Sequence, residues 1–285
     1  MNNKELGDLY KKYLVKGSGP ITISEAQFIG KLIEKYKPKT FLEIGTASGL
    51  SGGIIARFLD KNMGNQFITV DLSRKFYADV TKSTGYLIPK IYKSDKINCR
   101  VELGCMSKDL NNLKINNVDM VFIDANHQHP WPTIDTMLIY PLLNKDAIII
   151  HHDYNLFKVQ GYRHGIGPKF LANSISAKLH FPGDGRNNIY SFSTKDWSIE
   201  KSNRELSNSL ELPWTNIENI NEELFLEISN KIGSFWGSET MSLFNRIYKR
   251  EVSYRNSLLV RRKKREKNWN EEIERLKSLL SIKES

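Results

Sequence analysis

The sequence predicts an α/β fold: a doubly wound, mostly parallel sheet of seven strands with flanking helices and a helical C-terminal extension. Three observations predict it. Apolar strand-like segments alternate with helical ones between residues 40 and 151, the pattern of parallel strands joined by crossover helices. Met120 to Ile123 and Ala147 to Ile150 are apolar without polar alternation, as strands covered on both faces must be. A glycine turn, Gly45 to Gly49, divides the first strand from the first crossover helix. Boundaries follow at a helical segment 1–37, a main domain 38–197 and the extension 198–285.

The elements run in order. Ser24 with Phe28, Ile29, Leu32 and Ile33 predicts a capped amphipathic helix that stops before Pro38. Thr40 to Ile44, Gln66 to Val70, Asn98 to Leu103, Asp119 to Ile123 and Ala147 to His151 are predicted strands, with Gly53 to Leu59 and Arg74 to Thr81 as helical segments between them. Tyr162 to Gly167 reads as a glycine-rich loop able to fold over a site. Pro182, Gly183 and Gly185 mark a turn before Ile189 to Phe192, so a hairpin of late strands is expected. Beyond about residue 197 the composition shifts to Asn, Ser, Glu and Lys with scattered aromatics. Arg246 to Ile282, with Ile273, Leu276, Leu279 and Leu280 at helical spacing, predicts one long helix or two.

Composition narrows the function classes. The chain has 285 residues, 40% hydrophobic and 26% charged, enough for a full core. No apolar run is long enough to span a bilayer, and polar Met1 to Lys12 lacks the apolar stretch of a secretory signal, so a cytoplasmic protein is expected. Cys99 and Cys105 are too few and too close for a disulfide framework. The net charge of +10 favours anionic partners, yet six of the seven residues from Arg261 to Lys267 are Lys or Arg, so much of the excess is local.

Phe41-Leu42-Glu43-Ile44-Gly45-Thr46-Ala47-Ser48-Gly49 is the most informative stretch. A strand ends, glycines permit a sharp turn and close ligand approach, and a helix begins with its amides facing the bound molecule. The spacing Glu-x-Gly-x-x-x-Gly is neither that of dinucleotide folds nor that of phosphate loops. Asp71 ends the next strand, about 20 residues on, where an acid accepts hydrogen bonds from ribose hydroxyls. These residues resemble the first motif of class I S-adenosylmethionine-dependent methyltransferases, a Rossmann-like fold. The resemblance implies that Glu43, Gly45, Thr46, Gly49 and Ser51 surround the methionine part of S-adenosylmethionine. It implies Asp71 and Leu72 for the ribose, Gly104, Met106 and Ser107 for the adenine pocket, and Asp124 beside the cofactor.

Asp119-Met120-Val121-Phe122-Ile123-Asp124 and Ala147-Ile148-Ile149-Ile150-His151-His152-Asp153 bring two acids to the same carboxyl edge of the sheet, where open α/β folds bind ligands. Four of the six histidines, His127, His129, His151 and His152, surround that edge. Neutral imidazole takes a proton from a hydroxyl near neutral pH, so His127 is the first candidate general base and His152 the second. Zinc is disfavoured, since no cysteine joins the histidines. Tyr162, Arg163 and His164 are candidate substrate contacts, Arg163 for a phosphate or carboxylate.

The stretch from Val118 to Asn155 resembles small-molecule O-methyltransferases of the catechol type, and still more the bacterial relatives that methylate sugars and natural products. The resemblance covers roughly residues 20 to 195. It implies Mg²⁺ between Asp124, Asp153 and a further oxygen ligand; Tyr154 stands at that third position, with Asn155 the substitute one residue later. The expected activity is transfer of a methyl group to a hydroxyl of a small molecule, a sugar or glycan precursor. RNA methylation is the alternative, weakened because the basic run is confined to the tail and lacks an aromatic platform; a binding or assembly protein on the same scaffold is the non-enzymatic one. The C-terminal helices leave a homo-oligomer open.

Overall fold

The computed structural model describes residues 1–15, 19–183, 185 and 187–281, with side chains through Ile273. Two helices come first, α1 (Asn3–Tyr13) and α2 (Ile23–Tyr36). Thr22, not Ser24, caps α2: its hydroxyl accepts from the Glu25 amide and Glu25 returns the bond to the Thr22 N–H, a capping box that leaves Ser24 inside the first turn. Strand β1 (Thr40–Ile44) follows, then α3 (Leu50–Lys61) and β2 (Gln66–Asp71).

Arg74 to Thr81 departs from expectation. Instead of a helix it holds a ribbon of β3 (Lys75–Phe76) and β4 (Asp79–Ser83). Phe76 is buried and Tyr77 exposed, and the alternation of Phe76, Ala78 and Val80 with polar neighbours suits a strand period as well as a helical one. The crossover back to the sheet is the single turn α4 (Ile88–Ile91), after which come β5 (Asn98–Leu103), β6 (Val118–Ile123), α5 (Trp131–Ile139) and β7 (Leu143–His151). The expected loop at 162–167 contains the short helix α7 (Tyr162–Gly165), which follows α6 (Phe157–Gln160) across Gly161, and α8 (Gly167–Ser174) begins at its end.

Strand β8 (Tyr190–Ser193) closes the sheet, whose order is β5-β2-β1-β6-β7-β8, parallel throughout except for β8 against β7. Among the described residues the main sheet thus holds six strands, with β3 and β4 apart from it. The partner expected for a late hairpin is reduced to one bridge, His180 with Ser191; Pro182 lacks the N–H to continue a ladder and Gly183 turns at φ 77°. The turn itself lies partly outside the described residues. The extension folds as α9 (Ile199–Leu210), α10 (Glu222–Trp236) and α11 (Ser238–Ser281). The tail is therefore a single helix; the side chains of Leu276, Leu279 and Leu280, and Ile282 altogether, lie outside the described residues.

Strand alternation builds two apolar layers. Leu42, Ile44, Ile68, Val70, Val121 and Ile149 face one side, where Leu206, Trp214, Ile228, Trp236 and Phe244 of the extension join Trp131 and Met137 in one core. Phe41, Phe67, Met120, Phe122 and Ile150 face the other, under Leu6, Ile29, Ile54 and Ile88. The C-terminal helices are thus part of the main core, and the sheet's carboxyl edge is left uncovered between the two layers.

Candidate functional site

The loop after β1 begins where only glycine fits. Gly45 has φ 97° and a Cβ there would stand 2.0 Å from the Asp124 carbonyl oxygen, so just beyond the ends of β1 and β6 the two segments approach backbone to backbone. Asp71, at the end of β2, clamps the turn: Oδ2 accepts from the amides of Thr46 (2.9 Å) and Ala47 (3.0 Å), and Oδ1 from the Ser73 amide (2.8 Å). Gly49, with φ 83°, is the N-cap of α3. Below this loop Glu43 is wholly buried and accepts from Ser51 Oγ at 2.6 Å and Thr69 Oγ1 at 2.7 Å. Burial outweighs those two bonds and pushes its carboxyl up to about 8. Glu43 therefore organises the loop from behind.

A cleft of about 840 Å³ opens at the sheet edge, lined by Gly45, Ala47, Asp71, Leu72, Met106, Asp124 and His127 among others. A smaller cavity of about 200 Å³ adjoins it, lined by Pro20, Ile21, Thr46, Ser51 and Asp153 and sharing Gly45, Ala47, Tyr77, Asp124, Ala125 and His127 with the cleft. Glu43, Gly49, Gly104, Ser107 and His152 line neither. Gly104 turns at φ 78° beside the Arg74 guanidinium. Ser107 lies one layer down, its hydroxyl 2.5 Å from Asp135 Oδ1.

The second cluster stands where the two cavities meet. His127 Nε2 lies 2.9 Å from Asp153 Oδ2 and 3.3 Å from Asp124 Oδ1. His152 Nδ1 lies 3.2 Å from Asp124 Oδ1 and 3.3 Å from Asp153 Oδ1, and its Nε2 is 3.3 Å from Glu25 Oε1. Burial alone would lower both histidines, but hydrogen bonds and charges of the acids raise His127 to about 9 and His152 well above its usual value. Burial alone would raise Asp153 and Asp124, but the hydrogen bonds and charges of the two imidazoles hold both below the usual carboxylate range. Asp153 sits in left-handed backbone at φ 61° and also accepts from Asn188 Nδ2 at 3.0 Å.

The other two histidines of this edge, His151 and His129, are packed in the core. His151 packs on the Tyr190 ring and lies 3.0 Å from Thr136 Oγ1, and burial lowers it to about 3. His129 is buried edge-on to Phe170 and is lowered to about 3 by burial.

The donor chemistry does not fit Mg²⁺. Tyr154, at the third-ligand position, accepts a hydrogen bond from Lys169 Nζ at its hydroxyl and packs its ring on Phe181 and Tyr190. Asn155 lines neither cavity; its amide N–H donates to Asn188 Oδ1 and its Nδ2 to the Asn187 carbonyl. Among the described residues the donors within reach of one another are Asp124, His152 and Asp153, and Mg²⁺ takes an octahedron of oxygens. Imidazoles already bridge both carboxylates, and no step below is routed through a metal.

Of the loop residues, His164 lines the cleft. Arg163 is drawn away to Glu218 at 2.7 Å, which Arg255 also engages, and Tyr162 rests on Phe170. Among the residues of the site that sequence reading did not single out are Glu25 behind His152, Asp135 in the cleft wall, and Asn219 and Leu224 from the extension. The capping-box spacing was the only local signal for any of them, and it marked Glu25 as a helix start.

Residues 42–154 match a family model described as a methyltransferase domain. No curated protein matches the sequence. Among solved structures the chain is similar to cofactor-bound Rv0187 from MTB, with TM-score 0.50 and 17% identity over 67% of this chain and 88% of that one. It is also similar to an O-methyltransferase from Bacillus cereus in complex with SAH (TM-score 0.49, 19% identity, 68% and 92% covered). A third is the O-methyltransferase TomG from Streptomyces achromogenes in complex with SAM (TM-score 0.48, 18% identity, 67% and 89% covered). At these identities the likeness is one of fold.

Proposed function

From the premise that residues 42–154 are a class I S-adenosylmethionine-dependent methyltransferase domain, we propose that the enzyme methylates a hydroxyl oxygen of a small molecule, a sugar or glycan precursor. One observation carries the reading: His127 and Asp124 belong to both cavities, so a proton acceptor stands where a cofactor in the larger cleft would meet an acceptor in the smaller. The cleft suits S-adenosylmethionine, with the Gly45 turn and the Asp71 clamp at one wall and apolar Met106 at another. Bound there, that cofactor supplies an electrophilic methyl group.

The chain's own residues do the rest. His127 Nε2–H is donated to Asp153, which leaves Nδ1, without a hydrogen bond among the described residues, as the atom that accepts the acceptor's hydroxyl proton. Asp124 and Asp153 hold the ring and stabilise the imidazolium that forms, as a carboxylate does for a triad histidine. His152, anchored by Glu25 on α2, fixes both acids in turn. The oxygen gains a carbon as it loses its proton, so the main service of the protein is orientation in a site closed to water. Pro20, Ile21 and Tyr77 give the small cavity walls for a ring, and Asp153 gives it a polar floor.

No helix among the described residues is long and apolar enough to cross a membrane, and a cytoplasmic enzyme fits this reading. The basic run of α11 is exposed and lines neither cavity, which favours a small acceptor over RNA. The test is to incubate the purified protein with labelled S-adenosylmethionine and a panel of monosaccharides, nucleotide sugars and RNA, and to identify the methylated product by mass spectrometry. Label on a carbon-bound oxygen of a sugar supports the proposal; label on nitrogen or in RNA alone refutes it.

A further inference from the structure

Helix α11 outruns the domain it belongs to. It starts at Ser238, close to Trp236 and Tyr140 near the amino end of β7, and runs back along α10 toward the carboxyl edge of the sheet. On the way Tyr248 stacks on Phe225 of α10. Arg255 then meets Glu218, which also holds Arg163 of α7, next to the cleft residue His164. Beyond Arg255 the helix continues to Ser281, about 39 Å at a rise of about 1.5 Å per residue, and every side chain from Asn256 to Glu272 is exposed. The mouth of the cleft is therefore the root of a projecting arm.

The composition of the arm indicates what it meets. From Asn256 to Glu272 it carries six Lys or Arg against three Glu, an excess that selects an anionic partner. Its ion pairs, Arg262 with Glu266 and Lys267 with Glu271, are exposed and hold the charges only weakly. One face, at steps of four and three residues, reads Tyr254, Leu258, Arg262, Arg265 and Trp269, and its three apolar members are exposed, as are Leu259 and Val260 beside it. A second copy of α11 suits this face poorly, because a helix seam would bury Arg262 and Arg265 in its middle. RNA would find the charge but no row of aromatics to stack on. A phospholipid surface suits all of it: guanidinium forks pair with phosphate, Trp and Tyr settle at headgroup level, and Leu and Val enter the acyl boundary.

We propose that α11 beyond Arg255 is a docking arm for an anionic phospholipid bilayer, lying in its headgroup layer and holding the mouth of the cleft beside it. Basic clusters on an amphipathic helix bind anionic headgroups through this chemistry. An acceptor sugar carried on a lipid anchor in the same bilayer would reach the mouth by diffusion in the plane. That consequence, unlike the docking itself, rests on the function proposed above.

Trp269 provides the probe. The other four tryptophans, Trp131, Trp197, Trp214 and Trp236, are buried, so acrylamide quenching of the full-length protein reports mainly on Trp269. The experiment measures that quenching, together with co-sedimentation, on vesicles of phosphatidylcholine alone and of equal parts phosphatidylcholine and phosphatidylglycerol. Anionic vesicles are expected to shield Trp269 and to bind at least about tenfold more tightly than neutral ones, and salt at about 0.5 M is expected to erase the difference. Arg262→Gln combined with Arg265→Gln is expected to weaken binding about tenfold or more, and neither side chain touches the core. Equal affinity for the two vesicle types, binding to neither, or an unaltered double variant overturns the proposal. So does shielding of Trp269 without lipid that grows with protein concentration, which assigns the face to a second copy, and so does tighter shielding by RNA. Calorimetric binding of S-adenosylhomocysteine to the same preparation separates the two readings. Intact binding of that ligand without vesicle binding sinks the docking alone, and vesicle binding without it upholds the docking and sinks the reading of the cleft.

Discussion

His127 Nε2 stands 2.9 Å from Asp153 Oδ2, and the consequence is an imidazole held largely protonated at neutral pH. Burial opposes this, but the hydrogen bonds and charges of Asp124 and Asp153 win and set the value at about 9. Only the neutral form accepts a proton. The prediction is that kcat/KM climbs about tenfold per pH unit from pH 6 and levels above about 9. His127→Gln is expected to lower kcat by about 10²- to 10⁴-fold and to flatten the profile. An unchanged steep profile in the variant removes His127 from the mechanism.

The same shift has a stability side, and its sign is fixed. A histidine whose folded value exceeds its unfolded one contributes stability that is complete below about 6.5 and lost as pH rises through about 9. Urea unfolding of wild type and His127→Gln is therefore expected to diverge most at pH 6 and to converge above pH 9. Divergence that grows with pH contradicts the assignment of the charge.

Glu25 links the N-terminal segment to the site. It is 4% exposed, caps α2 through Thr22 and faces His152 Nε2 at 3.3 Å. Removing one member of a buried charge pair costs about 3–5 kcal/mol, so Glu25→Gln is expected to destabilise by roughly that much at pH 7 and to lower kcat through misplacement of His152. Glu25 itself is held below its usual value by His152 and Thr22 against the effect of burial. Its contribution is present above about 4.3 and fades as pH falls below that, where the variant and wild type draw level. A stable variant with normal kcat would show that the contact is incidental.

How far the sequence alone reached is measured by these residues. That Gly45, Asp71, Asp124 and Asp153 meet at one sheet edge was readable because each place depends on local chain position: a turn after a strand, or an acid at a strand's end. Glu25, Asp135, Asn219 and Leu224 were not, because each reaches the site through packing between distant segments. The apolar spacing of Arg74 to Thr81 satisfies both the helical and the strand period, and only pairing of Lys75 with Ser83 decides between them. The fold class does not depend on that choice, since the glycine turn and the covered strands β6 and β7 fix the parallel core.

The Gly45 turn is the least tolerant point of the site. An alanine there meets the Asp124 carbonyl at 2.0 Å in a backbone conformation that disfavours any side chain. Gly45→Ala is expected to abolish S-adenosylmethionine binding by calorimetry. Asp71→Asn, which keeps the acceptor for Thr46 and Ala47 but not the charge, is expected to weaken binding by about tenfold or more. Normal affinity in both variants would place the cofactor elsewhere.

The extension is expected to divide sharply into an indispensable and a dispensable part. Trp236 is 7% exposed, packs on Tyr140 and donates from Nε1 to the Met137 carbonyl at 3.0 Å, so it ties α10 to α5 under the cleft. Trp236→Ala is expected to cost about 3–5 kcal/mol and to weaken cofactor binding, because α5 also carries Asp135. From Asn256 to Glu272, by contrast, every side chain is exposed, and Trp269 and Val260 meet solvent rather than core. A chain ended after Ser257 keeps the contact of Arg255 with Glu218 and is expected to match the full protein in melting temperature and in affinity for S-adenosylhomocysteine. A fall in either property on truncation would mean that the distal half of α11 folds against something in solution, and sedimentation of the two forms would show whether that is a second copy of the chain.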